Sequence, residues 1–63
     1  MIYKFKQEDQ DSILEVENIT EREQISIVEL TIIESNGTKS ILLYKEDVYK
    51  LIGALHLLHK EMK

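Results

Sequence analysis

No cysteine occurs in this 63-residue chain, which removes disulfides, thiolate metal ligands and nucleophilic thiols together. In so small a chain the lack of disulfides also fits a reducing compartment better than secretion. No apolar run approaches the roughly 18 residues needed to cross a bilayer. The opening Met1-Ile2-Tyr3-Lys4-Phe5-Lys6 has neither the apolar core nor the small-residue cleavage site of a signal peptide. The cytoplasm is therefore the expected location. Glycine is scarce: Gly37 and Gly53 are the only two, and neither belongs to a G-x-G or Walker pattern that would cradle a phosphate. Arg22 is the single arginine. Proline is absent, and with the wealth of Ile, Glu and Lys this points to an AT-rich bacterial or phage genome.

The length allows one domain, spanning residues 1–63. A domain of this size buries only about 60% of the surface its unfolded chain exposes, so its stability margin is thin. Without disulfides or a metal cage, tight local packing or self-association must supply the rest. The formal net charge of −4 favours solubility. Its distribution is uneven: residues 7–24 carry Glu8, Asp9, Asp11, Glu15, Glu17, Glu21 and Glu23 against Arg22 alone. That stretch is read either as a solvated face or as a contact surface for a basic partner.

Ser35-Asn36-Gly37-Thr38 is the strongest local signal. Asn-Gly between apolar runs favours a two-residue hairpin turn, because both central residues tolerate positive φ. With Asn36 and Gly37 at the centre, Glu34 is expected opposite Lys39, Ile32 opposite Ile41 and Leu30 opposite Leu43, with Val28 on the same side. Ile33, Thr31 and Glu29 then meet Ser40, Leu42 and Tyr44 on the other side. Upstream, Ser12 to Ile19 reads as a strand with Leu14 and Val16 on one side and Glu15 and Glu17 outward; a helix over residues 11–22 is the competing assignment. Residues 1–6 fit an opening strand, Gln7 to Asp11 a loop, and Thr20 to Gln24 a link.

The last segment is helical. Glu46 and Asp47 lie in its first turn, where the helix dipole favours carboxylates, and Lys60 and Lys63 near its end. At about 100° per residue, Val48, Leu51, Ile52, Leu55, Leu58 and Met62 share one arc. This arc is the expected cover for the sheet side formed by Val28, Leu30, Ile32, Ile41 and Leu43. The fold class is thus α+β: a four-stranded antiparallel meander followed by one C-terminal amphipathic helix packed on one sheet face.

No catalytic constellation stands out. His56 and His59 are three apart on the helix, but a tight metal site needs a further ligand and no Asp or Glu stands one turn away on the same side. Ser12, Ser26, Ser35 and Ser40 have no adjacent base or oxyanion site. No catalytic, cofactor-binding or metal residues are assigned, and no cofactor is implied. A non-enzymatic role is expected.

Two surfaces are candidates for partner binding. Glu15, Glu17, Glu21 and Glu23 would address a basic protein surface electrostatically. Ile33, Leu42 and Tyr44 lie on the sheet side that one helix cannot also cover, and would form an apolar contact. The expected function is a small acidic protein-binding module, a bacterial or phage regulator or inhibitor of a host protein, self-associating with the dimer favoured. The β-β-β-β-α order also resembles single-strand-binding modules of the transcriptional-coactivator type, a likeness of element order alone. On that alternative, a dimer would place Tyr3, Lys4, Phe5 and Lys6 on single-stranded nucleic acid. Nucleic acid is nonetheless disfavoured, since phosphate binding draws on clustered Lys and Arg and this chain is net negative. A structural subunit of a larger assembly is the remaining alternative.

Overall fold

A computed structural model describes residues 1–8 and 11–63. Strands β1 (Ile2–Lys6), β2 (Ile13–Asn18), β3 (Ile27–Glu34) and β4 (Gly37–Tyr44) form one antiparallel sheet in chain order. A short helix, α1 (Thr20–Glu23), joins β2 to β3, and α2 (Lys45–Glu61) follows β4. The expected α+β meander with a C-terminal helix packed on the sheet is the observed architecture. Of the expected loop at 7–11, Asp9 and Gln10 lie outside the described residues. The Gln7 N–H donates to the Ser12 carbonyl at 3.1 Å beside them.

The segment at 13–18 is a strand and not a helix because its alternation is satisfied from both sides. Leu14 pairs with Phe5 and Ile32, and Val16 with Tyr3 and Leu30. Such apolar cross-strand pairs are the unit of sheet stability. Glu15 falls between Lys4 and Thr31 on the opposite face.

The β3–β4 register corrects the expected turn. Ser35 and Asn36 are the turn residues, and Gly37 already pairs with Glu34. Asn36 does not take positive φ; Gly37 does, at +147°. The ladder is shifted by two residues from the expected one, so Lys39 faces Ile32 in place of Glu34. A two-residue slip leaves every side chain on its own face, since strands alternate with period two. It also sets Leu30 against Ile41 and Val28 against Leu43, and brings the Thr31 and Ser40 hydroxyls to 2.9 Å. In the expected register Val28 would have met Lys45; the apolar match outweighs the Asn-Gly preference.

The link at 20–24 contains the helical turn α1, which the sequence reading did not assign. Asn18 starts it: its Oδ1 accepts from the Thr20 N–H at 3.0 Å, an Asx turn. Gln24 ends it in the left-handed conformation, φ 61°. Thr20 Oγ1 then binds the start of β3 twice, accepting from the Ile27 N–H at 3.2 Å and donating to the Ile27 carbonyl at 3.3 Å. Around this clamp sit Ile19 and Ile27, at 5% and 4% exposure the only buried side chains among the described residues.

Helix α2 starts with no connecting residue: Tyr44 ends β4 and Lys45 opens the helix. The Tyr44 N–H donates to Asp47 Oδ2 at 3.1 Å, so a first-turn carboxylate holds the junction. Connections between elements usually take about 4–6 residues. This junction is shorter than that, and α2 packs on the sheet at one corner. It touches β3 and β4 near its start, where Val48 is half-buried beside Val28 and Leu43. The rest of the arc, including Leu55 and Leu58, stands exposed. The contact lies on the expected face but covers one corner of it.

The result is an open molecule. Its accessible surface is 5815 Å², against about 4,200 Å² for a folded monomer of its 7.4 kDa mass. Its radius of gyration is 13.2 Å, against about 10.6 Å for a compact 63-residue domain.

Candidate protein-binding surfaces

Strand alternation sorts the sheet into two unlike faces. One carries Tyr3 and Phe5 from β1, Leu14, Val16 and Asn18 from β2, Val28, Leu30 and Ile32 from β3, and Lys39, Ile41 and Leu43 from β4. We call it the apolar face. Its edges are open, with Phe5 and Ile41 each 55% exposed. Three shallow depressions of about 240, 290 and 210 Å³ run along it: beside Val28, Leu43 and Val48; beside Met1, Tyr3 and Val16; and beside Phe5, Leu14 and Ile32. Each is smaller than the roughly 300–1,000 Å³ pockets that enclose small ligands.

The other face is mixed. Lys4, Glu15, Glu17, Glu29, Thr31 and Ser40 lie on it with Ile13, Ile33, Leu42 and Tyr44. Lys4 Nζ reaches Glu15 Oε2 at 3.3 Å across the β1–β2 ladder. Glu17 stands directly opposite Glu29, a like-charge cross-strand pair, which costs stability. Glu29 completes this carboxylate group and was not among the sequence candidates. Its alternation with Thr31 and Ile33 carried the signal, but only pairing with β2 sets it beside Glu17.

The four carboxylates singled out from sequence divide into two pairs. Glu15 and Glu17 project from β2 onto the mixed face, whereas Glu21 and Glu23 are exposed on α1. The Arg22 Nε lies 3.9 Å from Glu23 Oε1. The three apolar candidates share the mixed face but not one patch. Leu42 and Tyr44 are near neighbours on β4, both exposed, while Ile33 is half-buried toward the hairpin end beside Ile13 and Thr38.

The β1 residues part company as well. Tyr3 and Phe5 are on the apolar face, and Lys4 and Lys6 on the mixed one. Stacked bases on the aromatics would therefore find the two lysines on the far side of the sheet. His56 and His59 are exposed on α2, and no group of three or more potential metal ligands comes together among the described residues. No described helix is long and apolar enough to cross a membrane.

Comparison with family models, curated proteins and solved structures found no match. The surfaces must be read from their own chemistry.

Sequence reasoning assigned the open apolar side to Ile33, Leu42 and Tyr44 and treated the Val28–Ile41 side as covered. The larger unpartnered surface is the latter, extended by Tyr3, Phe5, Leu14 and Val16. The signal for it was the run Leu43-Tyr44-Lys45-Glu46-Asp47, which has no turn residue between the last strand position and the acidic first turn of the helix.

Proposed function

We propose that this chain is a non-enzymatic protein-binding module that occupies a basic surface of a partner protein through its mixed face. The observation that carries this reading is the juxtaposition of Glu17 and Glu29 on one sheet surface, next to Glu15, which is already paired with Lys4. Like charges directly opposite on neighbouring strands disfavour each other, and a cationic partner at Glu17 and Glu29 would offset that. Glu21 and Glu23 on α1 extend the negative surface beyond the β2–β3 end of the sheet. In the bacterial or phage setting that the composition suggests, such a module acts as a cytoplasmic regulator or inhibitor of a host protein by covering the surface it binds.

A single-strand-binding role asks for aromatic and clustered cationic groups on one surface; β1 sends Lys4 and Lys6 to the face opposite Tyr3 and Phe5, leaving Lys39 as the one strand lysine beside the aromatics. Protein recognition is therefore the reading the geometry favours. Its test is affinity capture from host lysate with the wild type and with Glu15→Lys/Glu17→Lys. The wild type is expected to retain a partner with a basic surface, and the double variant to lose it. Undiminished capture by the variant would retire the acidic contact, and tight oligonucleotide binding by the wild type at physiological salt would replace the proposal with the nucleic-acid reading.

A further inference from the structure

We infer that the apolar sheet face is covered by α2 of a second copy of this chain, in a two-fold dimer where each helix lies across the other copy's sheet. This names self-association as a partner to the protein-binding reading above, and assigns the two faces different tasks: the apolar one to the dimer, the mixed one to the outside.

Area is the first ground. The chain exposes about 1,600 Å² more than a compact monomer of its mass should. A standard interface removes about 800 Å² per partner, and obligate homodimers bury roughly 2,000–5,000 Å² in total. Covering the excess on both copies falls inside the obligate range. The second ground is that two apolar surfaces, not one, lack a cover. The sheet face is open around Phe5, Ile32 and Ile41, and the helix arc is open at Ile52, Leu55 and Leu58.

Dimensions match these two surfaces to each other. A 17-residue helix is about 25 Å long, and the eight residues of β3 span about 27 Å. The shallow depressions beside Tyr3 and Phe5 provide seats for apolar side chains from a helix. The third ground is connectivity. The same-chain helix leaves β4 without a loop and, among the described residues, meets the sheet at the corner of Val28 and Leu43, while its outer turns stand exposed and leave Phe5 and Ile32 open. A second copy faces no such restriction. Two-fold symmetry satisfies both needs at once, because each copy gives a helix and receives one.

Sedimentation velocity of the full chain at micromolar concentration, joined to isotope-filtered nuclear Overhauser spectroscopy on a mixture of labelled and unlabelled chains, tests the inference. The expected species has twice the 7.4 kDa chain mass, with cross-peaks between chains from Leu55 and Leu58 methyls to the Tyr3 and Phe5 rings. Leu55→Glu is expected to raise the dimer dissociation constant by at least about a hundredfold, since the two-fold axis counts the buried leucine twice. Leu57→Glu, off the apolar arc, is expected to leave it within about threefold. A folded monomer, a dimer whose contacts join sheet face to sheet face, or cross-peaks confined to one chain would each overturn the inference, and the wild-type spectra decide even if Leu55→Glu unfolds. A monomer that still captures its partner sinks the dimer alone; an intact dimer that captures nothing sinks the proposed function alone.

Discussion

Replacing Thr20 by valine removes one oxygen and keeps the shape of the side chain, so its effect isolates the clamp between α1 and β3. In the native structure the Thr20 hydroxyl accepts from the Ile27 N–H at 3.2 Å, beside a side chain only 4% exposed. The Ile27 carbonyl keeps a second donor in the Ile19 N–H at 3.2 Å. Valine therefore leaves the Ile27 N–H as the group deprived of its hydroxyl partner. A buried donor left unsatisfied costs about 1–3 kcal/mol, and Thr to Val is not a neutral swap at such a site. A 63-residue domain has about 3–9 kcal/mol in all, so the loss is a large share of it. With a urea m-value near 1 kcal/mol/M for a chain this small, the midpoint should fall by about 1–3 M. The assay is urea unfolding followed by circular dichroism at one fixed protein concentration, because the inferred self-association would make apparent stability concentration-dependent. Thr20→Ser keeps the oxygen and should lose less than about 1 kcal/mol. A valine variant within about 0.5 kcal/mol of wild type would show that the clamp contributes nothing and that the buried pair Ile19 and Ile27 holds the α1 end unaided.

Two glycine substitutions should move stability in opposite directions. A methyl group at either Gly37 or Gly53 meets nothing within 4 Å, so only the backbone decides: Gly37→Ala, at φ +147°, should cost about 1–3 kcal/mol, and Gly53→Ala, inside α2, should gain up to about 1 kcal/mol. Thermal unfolding of both variants checks the signs, and a neutral Gly37→Ala would mean that the turn relaxes to another form. Inserting six Gly/Ser residues between Tyr44 and Lys45 should turn the dimer into a folded monomer, because a loop of about that length lets α2 close on its own sheet at millimolar effective concentration. Persistence of the dimer in sedimentation would show that the missing loop is not what limits the helix to one corner of its own sheet.

How much of this was legible depends on which interactions repeat along the chain. Period-two alternation placed Val28, Leu30, Ile32, Ile41 and Leu43 on one face, and that assignment survived a two-residue error in register because the period is itself two. The turn was misplaced because Asn36-Gly37 is a local preference, while the ladder answers to the summed pairing of Leu30 with Ile41, Val28 with Leu43 and Thr31 with Ser40. Helix α1 was missed because four residues carry no periodicity; its only local mark was Asn18 two residues before Thr20. The carboxylate cluster was half legible. Glu15 and Glu17 are adjacent outward positions of one strand, but Glu29 joins them through the β2–β3 ladder, which sequence proximity does not encode.

The sharpest difference, over how much of the apolar face α2 covers, comes from a single junction. Amphipathicity says that a helix has an apolar stripe and a sheet has an apolar side; it does not say that the two belong to the same copy of the chain. In the inferred dimer that choice turns on reach, which depends on the residues between Tyr44 and Lys45, of which there are none. With no residue left for a turn, α2 packs on the sheet at the corner formed by Val28 and Leu43 and leaves its outer turns uncovered. The Asp47 carboxylate bound to the Tyr44 N–H places the helix start at the strand end, and an absent loop becomes two matched, uncovered surfaces on one small chain.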